Sequence, residues 1–398
     1  MKVLHTSDWH LGHSLYGYDR RDEFKHFLSQ LLEIIAEEKP DVLLVSGDIY
    51  DVSAPSTHVI ELFNSFMLEV RKYIPDITVV VISGNHDSAS RIDVYRNVWE
   101  KLDIHVIGKV ERKDRVYNFS KNVIEIEGKG RIIAIPFINP SFLWSGDKDI
   151  SGEKAFFNVL EQEIESSFPD VLPNVLMAHL TVRGESVTAD NSTLIGNVNS
   201  VTYDIFGNIY DYIALGHIHR PQTLDAKDRI RYSGSPIPIS FDEDYPHTVS
   251  ILDIEKGQKP QLKEIVITPL RNLKTIPEKP VNFRSALKIL TKYPSADTSY
   301  IRVNIEQPED LPSDCEEQIA SALKDKECRY CIIKYNKPGK DNHKAEFEEM
   351  RTSDFKLLNP AEVASRFFKT IGIGEDDISE LRGLISEIEE DLTAKESF

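Results

Sequence analysis

The strongest constraint on the fold is a set of short apolar runs that each stop at residues able to bind a cation. Val3 to Ser7 leads into Asp8-Trp-His10, Asp41 to Ser46 into Gly-Asp48, and Ile77 to Ile82 into Ser-Gly-Asn85-His86-Asp87. Val175 to Leu180 carries His179 near its end, and Tyr212 to Leu215 leads into Gly-His217-Ile-His219. Short runs rich in Val, Ile and Leu, bounded by Gly, Asp and Asn, read as buried strands. Between the first of them, apolar residues recur at helical spacing: Phe24, Phe27, Leu28, Leu31, Leu32, Ile34 and Ile35, then Val59, Leu62, Phe63 and Phe66. A further helix is expected through Trp99. Strand and helix alternation of this kind predicts an α/β layered fold. In open α/β sheets the crevice at the carboxyl ends of the strands is where ligands bind, and all five runs deliver their polar residues there.

Later the texture changes. Val123 to Glu127 and Arg131 to Ile135, joined by Gly-Lys-Gly, read as a hairpin. Arg229 to Tyr232, Ile237 to Phe241 and Thr248 to Asp253 read as consecutive strands, so a second sheet is expected to pack on the first. Pro269 to Pro280 marks a composition shift. Beyond it a small α+β unit is expected, with helices around Ala286 to Leu290 and Glu316 to Leu323 and strands at Tyr300 to Ile305 and Arg329 to Tyr335. Asn336 to Lys344 is polar and reads as a linker. The acidic remainder reads as helical, with Phe367, Phe368 and Ile371 on one piece and Leu381, Leu384, Ile385, Ile388 and Leu392 on the last. The expected division is a two-sheet sandwich flanked by helices over 1–270, a small α+β unit over 271–338, and a linker with C-terminal helices over 339–398.

Composition narrows the class. With 398 residues and 40% hydrophobic content the chain can bury a large core. No run approaches roughly 18 consecutive apolar residues, and no charged-then-apolar leader opens the sequence, so a cytoplasmic protein without a membrane span is expected. Three cysteines, an odd number, point to reducing surroundings. Cys328 and Cys331, with Cys315 and His343, have zinc-like spacing, but residues three apart on a strand face opposite sides, so ordinary core thiols are expected. The net charge of -18 excludes a simple basic DNA-coating protein. A nucleic-acid substrate would need metal ions or a partner to supply much of the positive field.

The donors at the strand ends are carboxylate and amide oxygens and imidazole nitrogens, a set suited to Mn, Fe, Co or Zn. Two such ions about 3.5 to 4 Å apart can share a carboxylate, activate a water and neutralise a phosphate. Taken singly each piece is weak, because a Gly-Asp pair after a strand is commonly a turn and a histidine at a strand end is commonly core or surface. The ordered set is what points to a phosphoester-hydrolysing centre.

In this order, Asp-X-His, Gly-Asp, Gly-Asn-His-Asp, His and Gly-His-X-His resemble the calcineurin-like metallophosphoesterase superfamily. The resemblance implies that Asp8, His10, Asp48 and His219 hold one ion, that Asp48, Asn85, His179 and His217 hold the other, and that Asp48 bridges them. It also implies that His86 is no ligand but stands over the scissile phosphate to stabilise or protonate the departing oxygen, with Asp87 orienting its ring from behind. Leu11-Gly-His-Ser-Leu-Tyr-Gly-Tyr through Glu23-Phe24, Asp87-Ser-Ala-Ser-Arg91, Gly216-His-Ile-His-Arg-Pro-Gln222 and Tyr232-Ser-Gly-Ser-Pro-Ile-Pro-Ile-Ser-Phe-Asp-Glu243 resemble the SbcD branch.

That likeness implies a Mn2+-dependent DNA nuclease, an exonuclease on double-strand ends and an endonuclease on single strands and hairpins, serving DNA end processing, repair and recombination. It further implies an SbcC-type ABC ATPase partner with a long coiled coil docked by the C-terminal helices, a homodimer joined by the helices after Asp51 and Asp87, and a 271–338 cap that positions DNA. One place departs from the wider pattern: archaeal and eukaryotic relatives carry a histidine where this chain has Asp51, so that histidine's role is not carried over; His13 and His58 are nearby substitutes in principle, but a surface or supporting place is expected for each. Arg20, Arg21, Arg91 and Arg96 are the expected local sources of positive charge. A stand-alone phosphoesterase on small esters and a metal-free scaffold are the competing readings.

Overall fold

A six-stranded sheet forms the first layer, in the order Gln261–Val266, Thr248–Asp253, Lys2–Thr6, Val42–Ser46, Thr78–Ile82, Ile104–Ile107. Its last four strands run parallel and the first two are antiparallel additions. A second six-stranded sheet has the order Gln222–Thr223, Ile230–Tyr232, Tyr212–Gly216, Asn174–His179, Gly130–Ala134, Val123–Ile126. Its four inner strands are parallel and its edges antiparallel. The structure is a computed structural model and describes residues 1–114, 116–143, 145, 150–183, 201–306 and 311–336. The expected linker and C-terminal helices of 339–398 and His343 lie outside the described residues. Among the described residues, no helix is long and apolar enough to cross a membrane.

Strand alternation sets the layering. Val42, Leu44, Val80 and Ile82 meet Val175, Met177 and Ala214 of the second sheet, forming the seam between the sheets. Their neighbours Leu43, Val45, Val79 and Val81 face the other way, against Phe27 and Leu31 of the helix Arg21–Glu38 and Phe66 and Val70 of the helix Thr57–Tyr73. On the far side, Leu176 and Ile213 pack under Phe156, Leu160 and Ile164 of the helix Gly152–Ser167. Parallel strands buried on both faces need continuous apolar runs, which is why these strands stand out in the sequence. Each fully buried Val, Leu or Ile contributes about 1.5–3 kcal/mol, so the four layers hold the strand ends rigidly.

Residues 271–336 carry a parallel three-stranded sheet of their own, Leu273–Val281, Tyr300–Glu306 and Arg329–Asn336. Helices Phe283–Thr291 and Cys315–Leu323 cover it, and Phe283, Leu290, Ile301, Val303, Ile305 and Ile319 form its core. Cys315 and Cys328 pack against that core, and Cys331 packs against a junction of Leu15, Phe241 and Tyr300. The compact unit extends from Met1 to Asn336 and so includes this segment.

Three local expectations need correction. Ile237 to Phe241 is a loop rather than a strand, because Pro236 and Pro238 remove alternate backbone donors. Conversely Leu273–Val281 is a strand despite Pro277 and Pro280; it lies at a sheet edge, where proline is tolerated, and its register shifts between Ile276 and Val281. The helix expected through Trp99 is broken into Ala89–Val94 and Arg96–Trp99.

Candidate metal centre

Beyond their last paired residues, the first two strands continue as interlocked loops. Asp8 N–H donates to the Gly47 carbonyl at 3.0 Å, His10 N–H to the Asp48 carbonyl at 3.0 Å, and Leu11 N–H to that of Ile49 at 2.9 Å. Asp8, His10, Asp48 and His217 adopt positive φ values of 53°, 45°, 47° and 100°. Such conformations cost about 1–3 kcal/mol each and persist only where the surroundings over-determine them. Here the rigid layers and loop hydrogen bonds do so, turning the side chains inward. Two glycines make room: a Cβ on Gly84 would lie 2.1 Å from Asp48 Oδ1, and one on Gly216 would lie 1.8 Å from the Ser46 carbonyl.

The inward side chains converge. His10 Nε2 is 3.2 Å from His219 Nε2 and 3.7 Å from Asp48 Oδ2. On the other side of Asp48, His179 Nε2 is 3.4 Å from the same Oδ2 and 3.0 Å from Asn85 Oδ1, which also lies 2.9 Å from His217 Nδ1. Asp8 is anchored through Oδ1, which accepts from His217 N–H at 2.9 Å, and Oδ2, which accepts from Ser7 Oγ at 2.6 Å. Donor atoms of Asp8, His10 and His219 fall within 4.8 Å of one another, as do those of Asp48, His179 and His217, and those of His10, Asp48 and His86.

Burial shapes the charges. It pushes the His217 imidazole down to about 3, with neighbouring His179 adding to the effect. Burial likewise lowers His10, although Asp51 and Asp48 oppose it. At His179 burial also favours the neutral ring, but the adjacent Asp48 carboxylate outweighs it and lifts the group to about 9. Desolvation works against an ionised Asp48, yet His179 and His10 hold it well below the usual carboxylate range. A buried carboxylate ringed by imidazoles attracts positive charge, which is the electrostatic condition of a cation site.

His86 is half-buried, with its ring centroid 4.9 Å from that of His10. Its Nδ1 is 2.9 Å from the Asp51 carbonyl, and its backbone N–H donates to Asp48 Oδ1 at 2.9 Å. Asp87 is placed otherwise than the resemblance implied. Its carboxylate accepts backbone N–H bonds from Ile49 (3.1 Å), Tyr50 (2.9 Å) and Gly84 (2.8 Å), so it fastens the Asp48 loop to the Asn85 loop while the Asp51 carbonyl backs the His86 ring. Burial, followed by the charge of Asp48, pushes Asp87 up to about 6.

Two supporting groups have places that the sequence left unassigned. Asp51 Oδ1 lies 3.4 Å from His10 Nδ1. Glu243 Oε1 lies 3.4 Å from His219 Nδ1, and its Oε2 accepts Ile239 N–H at 2.9 Å. Glu243 closes the Tyr232-to-Glu243 stretch, the only signal that set it apart. Of the suggested substitutes, His13 lies beside the centre, its N–H on the His10 carbonyl at 2.9 Å and its Nδ1 3.3 Å from Arg20 Nη1, whereas His58 is exposed beside Glu61. Arg20, expected as surface charge, is instead 2% exposed and paired with Glu23 at 2.7 Å. Arg96 is engaged with Glu100 at 2.8 Å and Arg21 with Asp19 at 3.1 Å, while Arg91 is exposed.

The residues fit a pair of divalent ions by donor chemistry and by orientation. Seven candidate nitrogen or oxygen donors, two of them carboxylates, come from the ends of five strands. The Nε2 atoms of His10 and His219, 3.2 Å apart, would ligate one cation together when both are unprotonated.

A family model for calcineurin-like phosphoesterases matches residues 1–221. Among curated proteins, the chain is similar to the SbcD component of the SbcCD nuclease from Rhodobacter capsulatus, at 34% identity over 277 residues, covering 66% of this chain and 68% of that protein. It is 32% identical over 282 residues to the protein of the same name from Staphylococcus epidermidis, covering 69% and 72% of the two chains. With the Escherichia coli K12 counterpart it shares 29% identity over 291 residues, 69% and 71% of the two.

Proposed function

The chain belongs to the calcineurin-like phosphoesterase family, on its SbcD nuclease branch, and from that premise we propose that the centre hydrolyses DNA phosphodiesters with two divalent ions. The carrying observation is Asp48 Oδ2, placed between His10 Nε2 at 3.7 Å and His179 Nε2 at 3.4 Å. Asp8, His10, Asp48 and His219 would hold one ion and Asp48, Asn85, His179 and His217 the other, with Mn2+ the first candidate for these donors. When bound, the ions supply an activated water and neutralise phosphate charge.

The chain's own groups do the rest. Burial keeps His10 and His217 neutral and therefore able to ligate. Ser46 fixes the ring of His179, and Glu243 that of His219, by engaging the second nitrogen of each. A carbonyl can only accept, so the His86 Nδ1 facing Asp51 carries the proton. In the doubly protonated ring its Nε2–H would be the group that stabilises or protonates the departing oxygen.

The relatives are components of the SbcCD nuclease, and this chain works with an SbcC-type ATPase. With a net charge of -18 it relies on that partner for most of its grip on DNA. The segment beyond 338 docks the partner, 271–338 positions DNA as a cap, and the activity is cytoplasmic. The exposed apolar residues Leu68, Val94 and Val98, on the helices after Asp51 and Asp87, and Tyr95 at the break between two of these helices support a homodimer contact.

The test supplies Mn2+ to metal-stripped protein and compares linear duplex, hairpin and single-stranded DNA with a small aryl phosphodiester. Degradation of duplex ends, strengthened by the ATPase, is the expected result. Hydrolysis of the small ester with all DNA left intact, partner present, would identify a small-ester phosphatase instead.

A further inference from the structure

The centre strand of the 271–336 sheet, Tyr300–Glu306, touches both the loop that follows His10 and the loop whose Glu243 backs His219. Arg302 is 5% exposed and donates from Nη1 to Asp242 at 2.9 Å, from Nη2 to the Phe241 carbonyl at 3.4 Å, and from Nε to Thr275 at 3.1 Å. Its guanidinium also covers the Phe241 ring at 5.1 Å. The next residue along that loop is Glu243, the carboxylate behind His219. Arg302 therefore fixes the stretch of backbone that aims Glu243.

Two residues earlier, on the same face of the strand, the Tyr300 hydroxyl donates to Glu23 at 2.5 Å and accepts from Arg329 at 2.8 Å. Glu23 is paired with buried Arg20, whose Nη1 is 3.3 Å from His13. His13 N–H in turn donates to the His10 carbonyl at 2.9 Å. Tyr18, from the same loop, donates to the Tyr330 carbonyl at 2.9 Å, and Leu15, Phe241 and Tyr300 form a buried apolar cluster where both loops meet the strand. His179, on the other side of Asp48, is instead held by the Ser46 carbonyl at 2.9 Å, within the sandwich.

We propose that Tyr300 and Arg302 are positioning residues for one half of the metal centre: through those two loops, the 271–336 unit sets the ion site built by His10 and His219 and leaves the Asn85, His179 and His217 site to the sandwich. The inference rests on the two-ion reading above and gives the unit a task besides contact with DNA. The links through Glu23 are buried and the Arg302–Asp242 pair is exposed on its Asp242 side, and together they couple a shift of the strand to both imidazoles. Position errors of this kind reach the metal through ring orientation rather than through loss of a ligand.

The experiment titrates Mn2+ alone into the full-length, metal-stripped protein by calorimetry, with paramagnetic resonance to count bound ions. Arg302→Leu and Tyr300→Phe are compared with wild type and with Lys274→Ala, which breaks an ion pair with Asp297 elsewhere in the same unit. Wild type and Lys274→Ala are expected to bind two ions alike. Arg302→Leu and Tyr300→Phe are expected to keep one at wild-type affinity and to weaken the other at least tenfold. Tyr300→Phe keeps the ring and its packing, so it carries the test should Arg302→Leu fail to fold. Unchanged binding in the variants, or equal weakening of both ions, overturns the inference while the two-ion reading stands. Failure of wild type to take up two ions overturns that reading and the inference with it.

Discussion

Asp87 was expected to serve the His86 ring, whereas its hydrogen bonds tie two loops together, and Asp87→Asn separates these roles. The carboxylate takes three backbone N–H bonds, two on Oδ2 from Ile49 and Gly84 and one on Oδ1 from Tyr50. An asparagine can place its oxygen on the Oδ2 side and keep two, which leaves its NH2 facing the Tyr50 N–H. One charge-assisted bond worth about 1.5–3 kcal/mol is lost, and a buried donor left unpaired costs about 1–3 kcal/mol more. Removing a negative charge close to Asp48 offsets part of this. The net expected destabilisation is about 2–4 kcal/mol, a large share of the roughly 5–15 kcal/mol that holds a typical protein folded. Urea unfolding in the presence of chelator measures it. Trp9, buried against Phe27, Phe63 and Phe66 one residue after Asp8, supplies the fluorescence signal. His86→Ala serves as the reference and should unfold within about 0.5 kcal/mol of wild type, since the ring is a half-buried polar group at the site's edge. An Asp87→Asn protein as stable as wild type, yet as deficient in cleavage as His86→Ala, would refute the reasoning and return Asp87 to the back of the His86 ring.

Other perturbations test separate links. His86→Ala should retain Mn2+ uptake and lose about 10²–10⁴-fold in DNA cleavage rate; a lower ion count would make His86 a ligand. Gly84→Ala changes no ligand, but its Cβ would press within 2.1 Å of Asp48 Oδ1 and 2.3 Å of the Asp48 nitrogen, so Mn2+ affinity measured by calorimetry should fall at least about tenfold. His5, held between the sheets with Nδ1 2.8 Å from the Tyr212 hydroxyl, is pushed down to about 3 by burial and then by Arg231. Its native pKa lies below the unfolded value, so its contribution to stability is full above about pH 6.5 and is lost as pH falls toward 3. Between pH 7 and pH 5 wild type should lose about 2 kcal/mol more than His5→Gln in urea unfolding; parallel losses would contradict this. Removal of residues 345–398 should leave Mn2+-dependent hydrolysis of small esters intact and abolish co-purification with the ATPase, and persistent co-purification would place the docking surface elsewhere.

The candidate donors were legible because each ends an apolar strand buried on both faces, a pattern that local sequence carries in full. Asp8, His10, Asp48, Asn85, His179, His217 and His219 needed only that pattern and the resemblance to be singled out. What could not be read were contacts between segments distant in sequence. Glu243 reaches His219 from a loop whose alternating prolines imitate a strand pattern, and Asp87 acts on amides some 40 residues upstream, so neither role leaves a local trace. Arg20 looked like a surface arginine because its partners, Glu23 and the Tyr300 ring, enclose it only in the folded chain. The proline-bearing strand Leu273–Val281 was missed for a related reason: edge position, which excuses proline, is a property of the assembled sheet.

The central claim is that Asp48 joins two cations held by opposite halves of one cluster. Paramagnetic resonance of the Mn2+-loaded protein tests it most directly. The account predicts two ions per chain with the spectrum of an exchange-coupled pair, as expected for a spacing of about 3.5–4 Å, and loss of that coupling in Asp48→Asn. One ion per chain, or two that give independent spectra in the wild-type protein, would contradict it.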